Sequence, residues 1–256
     1  MVLNLLQGYE VTVASAEQME YPIQASQGLK RILIVAGDNI EEMLEEAADG
    51  EDSIQGYVEK ESEEVESRSA LEVLKSLVDN SLTDSGLQAT DSDSDDGHLI
   101  YKAYAALWAE QSELLDERLD VGIGEKEDSE LQGTLPDAAW VERNEEGALL
   151  LLDLPEAEAW IAALIVPMGG YNECPQPVEQ AIIFRDWQKR YGAVPTAVTE
   201  DSWLLRASRL PESDKEALEL AREHFMFCSY VLEGYASIGE YAAYLKGNCD
   251  WSFWWD

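Results

Sequence analysis

Trp251-Ser252-Phe253-Trp254-Trp255-Asp256 packs four aromatic rings into six residues. Left in water, these rings form a sticky apolar patch. Their alternation puts Trp251, Phe253 and Trp255 on one face of a strand and Ser252, Trp254 and Asp256 on the other. The segment is therefore expected to be a strand with one buried face, covered by the rest of the fold or by a partner.

The charge distribution sets the second constraint. The chain of 256 residues carries a net charge of −36. Residues 1–160 hold 39 acidic and 9 basic residues, and residues 161–256 hold 14 and 8. Halophilic adaptation would acidify the whole surface, whereas here the charge is concentrated in one half. Such a field opposes direct contact with nucleic acid or an anionic membrane and attracts a basic protein. An apolar fraction of 46% suffices for a sizeable core. No run of residues is apolar for long enough to span a bilayer. The first residues carry no basic start of the kind a leader has. Three cysteines with no close spacing favour free thiols, so a cytoplasmic protein is expected.

The pattern predicts an α/β (α+β) chain with a mixed sheet flanked by helices, a buried C-terminal strand and an acidic helical and loop N-terminal half. Two regions are expected, an acidic one over 1–135 and a C-terminal domain over 136–256. Tyr9–Val13 and Arg31–Gly37 read as strands. A helix follows from Asp38 through Glu46, and another is expected from Glu61 to Val78. Residues 38–66 hold 13 acids, read as solvated helix face and loop. Asp91-Ser92-Asp93-Ser94-Asp95-Asp96-Gly97 resembles the start of a calcium loop. The twelfth residue from Asp91 is Lys102 rather than the closing Glu, so the reading is an acidic linker or contact surface. His98–Leu119 has a helical apolar stripe, Val121–Pro136 reads as a linker, and Trp140 opens an edge strand. Glu145-Glu146-Gly147 reads as a hairpin turn before an apolar strand, Ala148–Leu154. Beyond it come a short turn at Pro155–Trp160, a buried strand at Leu164–Val166, a helix from Pro177 to Arg190, and strands at Pro195–Val198 and Trp203–Ala207. Helices from Ser213 to Cys228 and Ile238 to Leu245 precede the aromatic strand.

Several landmarks of the C-terminal half occur together: Gly-Gly-Tyr-Asn-Glu-Cys-Pro at 169–175, Trp187, Tyr191-Gly192-Ala193, Leu-Glu-Leu-Ala-Arg-Glu at 218–223, Phe227-Cys228, and the closing aromatic motif. In these the chain resembles the bacterial family known as domain of unknown function 4253, from about Trp160 onward. The resemblance implies an α/β-type cytoplasmic protein and no particular reaction. The chain departs from the family pattern at two places. Ser229-Tyr230 follows the second cysteine where the family has Pro-Asp, and His224 stands where Gln is common.

By residue type, the strongest catalytic candidate is Cys174, placed after a Gly-Gly loop and before a helix whose dipole can lower a thiol pKa. His224 would be its base, with Glu173 or Asp201 as orienter. The plainer reading makes Cys174 a small apolar residue packing a loop. Cys174, Cys228, Cys249 and His224 lack the close spacing of zinc motifs, and no metal or cofactor is expected. Trp187, Trp251, Phe253 and Trp255 read as core. The feature that folding explains least is the acidity. Asp38, Glu41, Glu42, Glu45, Glu46, Glu63, Glu64, Asp91, Asp93, Asp95 and Asp96 are the residues expected to meet a basic protein partner. The expected function is occlusion of that partner, as an immunity protein (antitoxin) against a nuclease-type toxin or as a nucleic-acid mimic. The alternative is a small cysteine-dependent enzyme or ligand-binding domain centred on Cys174.

Overall fold

The computed structural model describes residues 2–15, 25–51, 53–87, 96–111, 118–120, 122–124 and 148–255. Asp91, Asp93, Asp95, Trp140, the Glu145–Gly147 turn and most of the Val121–Pro136 stretch lie outside them. In chain order the elements are α1 (Val2–Leu5), β1 (Glu10–Val13), β2 (Leu29–Ala36), α2 (Asp38–Glu51), α3 (Ile54–Ser67), α4 (Ala70–Asp84) and α5 (Gly97–Gln111). There follow β3 (Ala148–Pro155), a 3₁₀ turn over Glu156–Ile161, α6 (Ala162–Ile165), α7 (Pro177–Tyr191), β4 (Val194–Val198) and β5 (Ser202–Arg206). The chain continues through α8 (Asp214–Phe227), a 3₁₀ turn over Ser229–Leu232, α9 (Ile238–Gly247) and β6 (Asp250–Trp254).

One mixed sheet organises these elements, in the order β1-β3-β2-β4-β5-β6. All neighbours are antiparallel except β2 and β4, which run parallel with Leu33 opposite Ala197. β2 is apolar on both faces because it is central. Ile32 and Ile34 join the main core with the helices, while Leu33 and Val35 pack with Leu149, Ala197 and Leu204 on the opposite face. At the rim of the β2–β3 pair, Arg31 faces Asp153 in register and donates to its carboxylate from Nε at 2.7 Å and also from Nη2. This bidentate cross-strand pair fixes the register as well as the partner. Pro195 sits in β4, flanked on both sides by strands, where a missing N–H would normally break a ladder. The strand bulges between Pro195 and Ala197, and this accommodates the proline.

The sheet joins the two regions read from the sequence. β1 and β2 come from the acidic region, and β2 is inserted between β3 and β4 of the C-terminal region. The boundary at 135/136 therefore does not divide the sheet or its core.

Two local readings change. The helix expected over Glu61–Val78 is two helices. At Ser69 the backbone is extended, and Ser69 and Glu72 form a capping box that ends α3 and starts α4. Ser69 Oγ accepts from the Glu72 N–H at 3.3 Å, and the Glu72 carboxylate accepts from the Ser69 N–H at 2.7 Å. Leu164–Val166 is not a strand. Leu164 and Ile165 belong to α6 and are fully buried, because a short apolar run satisfies a buried helix turn as well as a strand. The other helices begin as the caps dictate, with Ser213 and Ser237 each accepting the N–H three residues on. Gly192 ends α7 with φ +59°, and a Cβ there would lie 2.0 Å from Ser208 Oγ, so the position favours glycine.

Candidate functional site

α2 turns Ile40 and Leu44 into the core, and α3 does the same with Ile54, Val58 and Val65. The opposite faces then necessarily carry the charge. Asp38, Glu42, Glu45, Glu46, Glu63 and Glu64 are exposed, and Glu41 is half-buried. Lys60 pairs with Glu61 at 3.5 Å and Arg68 with Glu64 at 2.7 Å. Asp96, exposed at the start of α5, accepts the His98 N–H at 2.9 Å and so acts as a helix cap.

The cysteine loop is built by Gln180, a residue absent from the candidates read from the sequence. Gln180 is fully buried on α7. Its Nε2 donates to Met168 O at 3.0 Å and Pro175 O at 2.7 Å, and its Oε1 accepts from Trp203 Nε1 at 2.7 Å. One amide thus ties both ends of the loop to β5. The signal was an amide at the i position of an i, i+4, i+7 apolar stripe completed by Phe184 and Trp187.

Cys174 lies within this frame. Its Sγ is 3.8 Å from Met168 Sδ, 3.7 Å from Pro175 O and 3.6 Å from Gln180 Nε2. Burial pushes its pKa up, and the nearby Cys228 adds to the shift, against the Gln180 hydrogen bond. Cys228 is also raised, to about 12, chiefly by burial. The two thiols are free, and Cys228 Sγ donates to Trp254 O at 3.1 Å. Both therefore hold their protons at neutral pH. Glu173 has a left-handed backbone, φ +59°, and its carboxylate accepts from Ser229 Oγ at 3.4 Å. Burial raises its pKa, opposed by that hydrogen bond.

His224 does not serve Cys174. Its ring is fully buried, 4.5 Å from the Trp187 ring centroid and 4.7 Å from that of Trp251, and its Nδ1 is 2.8 Å from Tyr241 Oη. Burial, and secondarily the charge of Arg190, hold its pKa well below 6.5. The set Cys174–His224–Glu173 is thus not a hydrogen-bonded constellation. Asp201, the other orienter considered, accepts from Thr199 and Ser202 hydroxyls, each at 2.6 Å. Among the described residues no group of three or more His, Cys, Asp or Glu could hold a metal ion.

The landmarks of the C-terminal half converge instead on one aromatic core. Trp187 stacks on Phe253 at 5.3 Å and meets Trp251 and Phe227 edge-on. Its indole N–H donates to Glu223 at 3.2 Å, and Glu223 also accepts from Arg190 at 2.8 Å. Trp251, Phe253 and Trp255 are at most 1% exposed, as the alternation requires.

A mixed α+β fold with free thiols and an aromatic closing strand is the class defined by these features. Within it, residues 150–256, from β3 through the aromatic strand, match the family model described as domain of unknown function 4253. No curated protein and no solved structure matches the chain. No helix among the described residues is long and apolar enough to cross a membrane.

Proposed function

We infer that this protein binds a basic protein partner through the outer faces of α2 and α3 and acts by occluding it. The observation that carries this reading is the set of exposed carboxylates Asp38, Glu42, Glu45, Glu46, Glu63 and Glu64 on two helices anchored to the core. Asp38/Glu42, Glu41/Glu45 and Glu42/Glu46 are like-charge pairs at i, i+4. Each such pair costs a helix about 0.2–0.5 kcal/mol. A cationic surface laid across them removes that repulsion and adds charge-assisted hydrogen bonds. The concrete form is a cytoplasmic immunity protein (antitoxin) masking a nuclease-type toxin, or a nucleic-acid mimic whose carboxylates stand where phosphates would.

The test is capture of basic proteins from the native host at rising salt, with a Glu42→Lys/Glu45→Lys/Glu46→Lys variant alongside. Retention of a basic protein at low salt, lost in the variant, supports the reading. Equal capture by the variant, or no basic protein retained at low salt, rejects it. Co-expression with a captured nuclease then separates an immunity protein, which restores growth, from a partner of another kind.

A further inference from the structure

A groove of about 710 Å³ lies over α8, walled by the first turns of α4 and α5 and by the C-terminal end of α7. Its volume falls in the range of small-molecule sites, roughly 300–1,000 Å³. Leu71, Leu74, Leu218 and Met226 make an apolar lining. Three cations, Arg190, Lys215 and Arg222, line it as well. Two already have carboxylate partners. Arg190 is held by Asp186 at 2.9 Å and Glu223 at 2.8 Å, and Lys215 lies 3.6 Å from Glu219. The helix starts are also satisfied, α4 by its capping box and α5 by Asp96.

Arg222 is different. Among the described residues no carboxylate pairs with it. Its guanidinium carbon sits 5.2 Å from the Tyr101 ring centroid, and its Nη1 is 3.4 Å from His98 Nδ1. Its Nε is shielded from solvent without a hydrogen-bond partner. In a chain of net charge −36, a guanidinium that no described carboxylate pairs with, on an apolar groove wall, is an unmet demand for an anion. A guanidinium fork matches the two oxygens of a carboxylate or phosphate head.

We propose that this groove binds an amphiphilic anion, with its carboxylate or phosphate head on Arg222 and its apolar body over Leu71, Leu74, Leu218 and Met226. The site is separate from the acidic faces of α2 and α3 and does not depend on the partner proposed for them. The negative field of the whole molecule acts against any anion. At physiological ionic strength it is screened over roughly 8 Å, so distant carboxylates act weakly, and the acids that count are Asp96, Asp186, Glu219 and Glu223 in the groove wall itself.

Titration calorimetry of the full chain at that ionic strength tests this, using octanoate, octyl phosphate, octylammonium and acetate. Saturable binding of octanoate or octyl phosphate is expected, with none for octylammonium or acetate. The tighter of the two anions identifies the head group. Arg222→Gln should raise Kd at least about tenfold. Because Arg222 also packs on Tyr101, Leu71→Trp provides a second variant that fills the groove with Arg222 intact, and it should lose binding too. Unchanged affinity in either folded variant, equal binding of octylammonium, or no saturable binding of either anion would overturn the proposal.

Discussion

His224 is the residue at which physics and titration are most tightly linked. Its imidazole is neutral in the folded core and ordinary in the unfolded chain, with pKa depressed below 6.5 on folding. The unfolded chain therefore takes up the proton first as pH falls. The stability is fully present above about 6.5 and is lost as pH drops from there toward the folded pKa, at up to about 1.4 kcal/mol per pH unit. Urea midpoints should accordingly fall between neutral pH and about pH 5.5. His224→Gln should flatten that dependence relative to the wild type. Equal slopes in the two proteins would count against it. Cys174 leads to a second expectation. With its pKa raised, it should react with a thiol-specific reagent near neutral pH at least about tenfold more slowly than a small free thiol. A fast, single-site modification at Cys174 would reverse that assignment. Both residues were visible in the sequence as types. What the sequence could not supply was their separation, because His224 faces Trp187 and Trp251 from α8 while Cys174 is held by Gln180 on α7.

Helix α4 shows what local chemistry decides at the level of an element. Ser69 and Glu72 satisfy each other's backbone donors and set the break between α3 and α4. Ser69→Ala should cost about 1 kcal/mol, read as a lower urea midpoint with unchanged slope. No loss would mean that packing alone holds the break. The loop before α7 depends on a buried amide instead. Gln180→Leu leaves Met168 O, Pro175 O and Trp203 Nε1 without the partners they have now. Unsatisfied buried groups cost about 1–3 kcal/mol each, so a loss of several kcal/mol is expected in denaturant unfolding. A change under about 1 kcal/mol would show that the loop is held by other contacts. Strands and long helices were legible because their periodicity repeats over many residues. Leu164–Val166 was not, because three apolar residues carry no period.

The sheet is the feature that belongs to the whole molecule. Residues 150–256 match the family model, yet β2 from residues 29–36 fills the place between β3 and β4. A chain trimmed to 150–256 loses that central strand and exposes both apolar faces next to it. It should therefore show no cooperative thermal transition by circular dichroism. A sharp melt with an ordered near-ultraviolet aromatic signal would establish that this part folds alone.

The sequence by itself determined the mixed α+β class, the one-sided burial of Trp251, Phe253 and Trp255, and the concentration of carboxylates in the first 160 residues. Periodicity, ring alternation and charge are properties of neighbouring residues, so they can be read along the chain. Only the tertiary structure shows that β2 lies between β3 and β4, that His224 and Cys174 serve different neighbours, and that Arg222 lines a groove with no described carboxylate paired to it. Each of these depends on which distant segments meet. Burial, register and charge pairing across more than a hundred residues are set by the packed core as a whole.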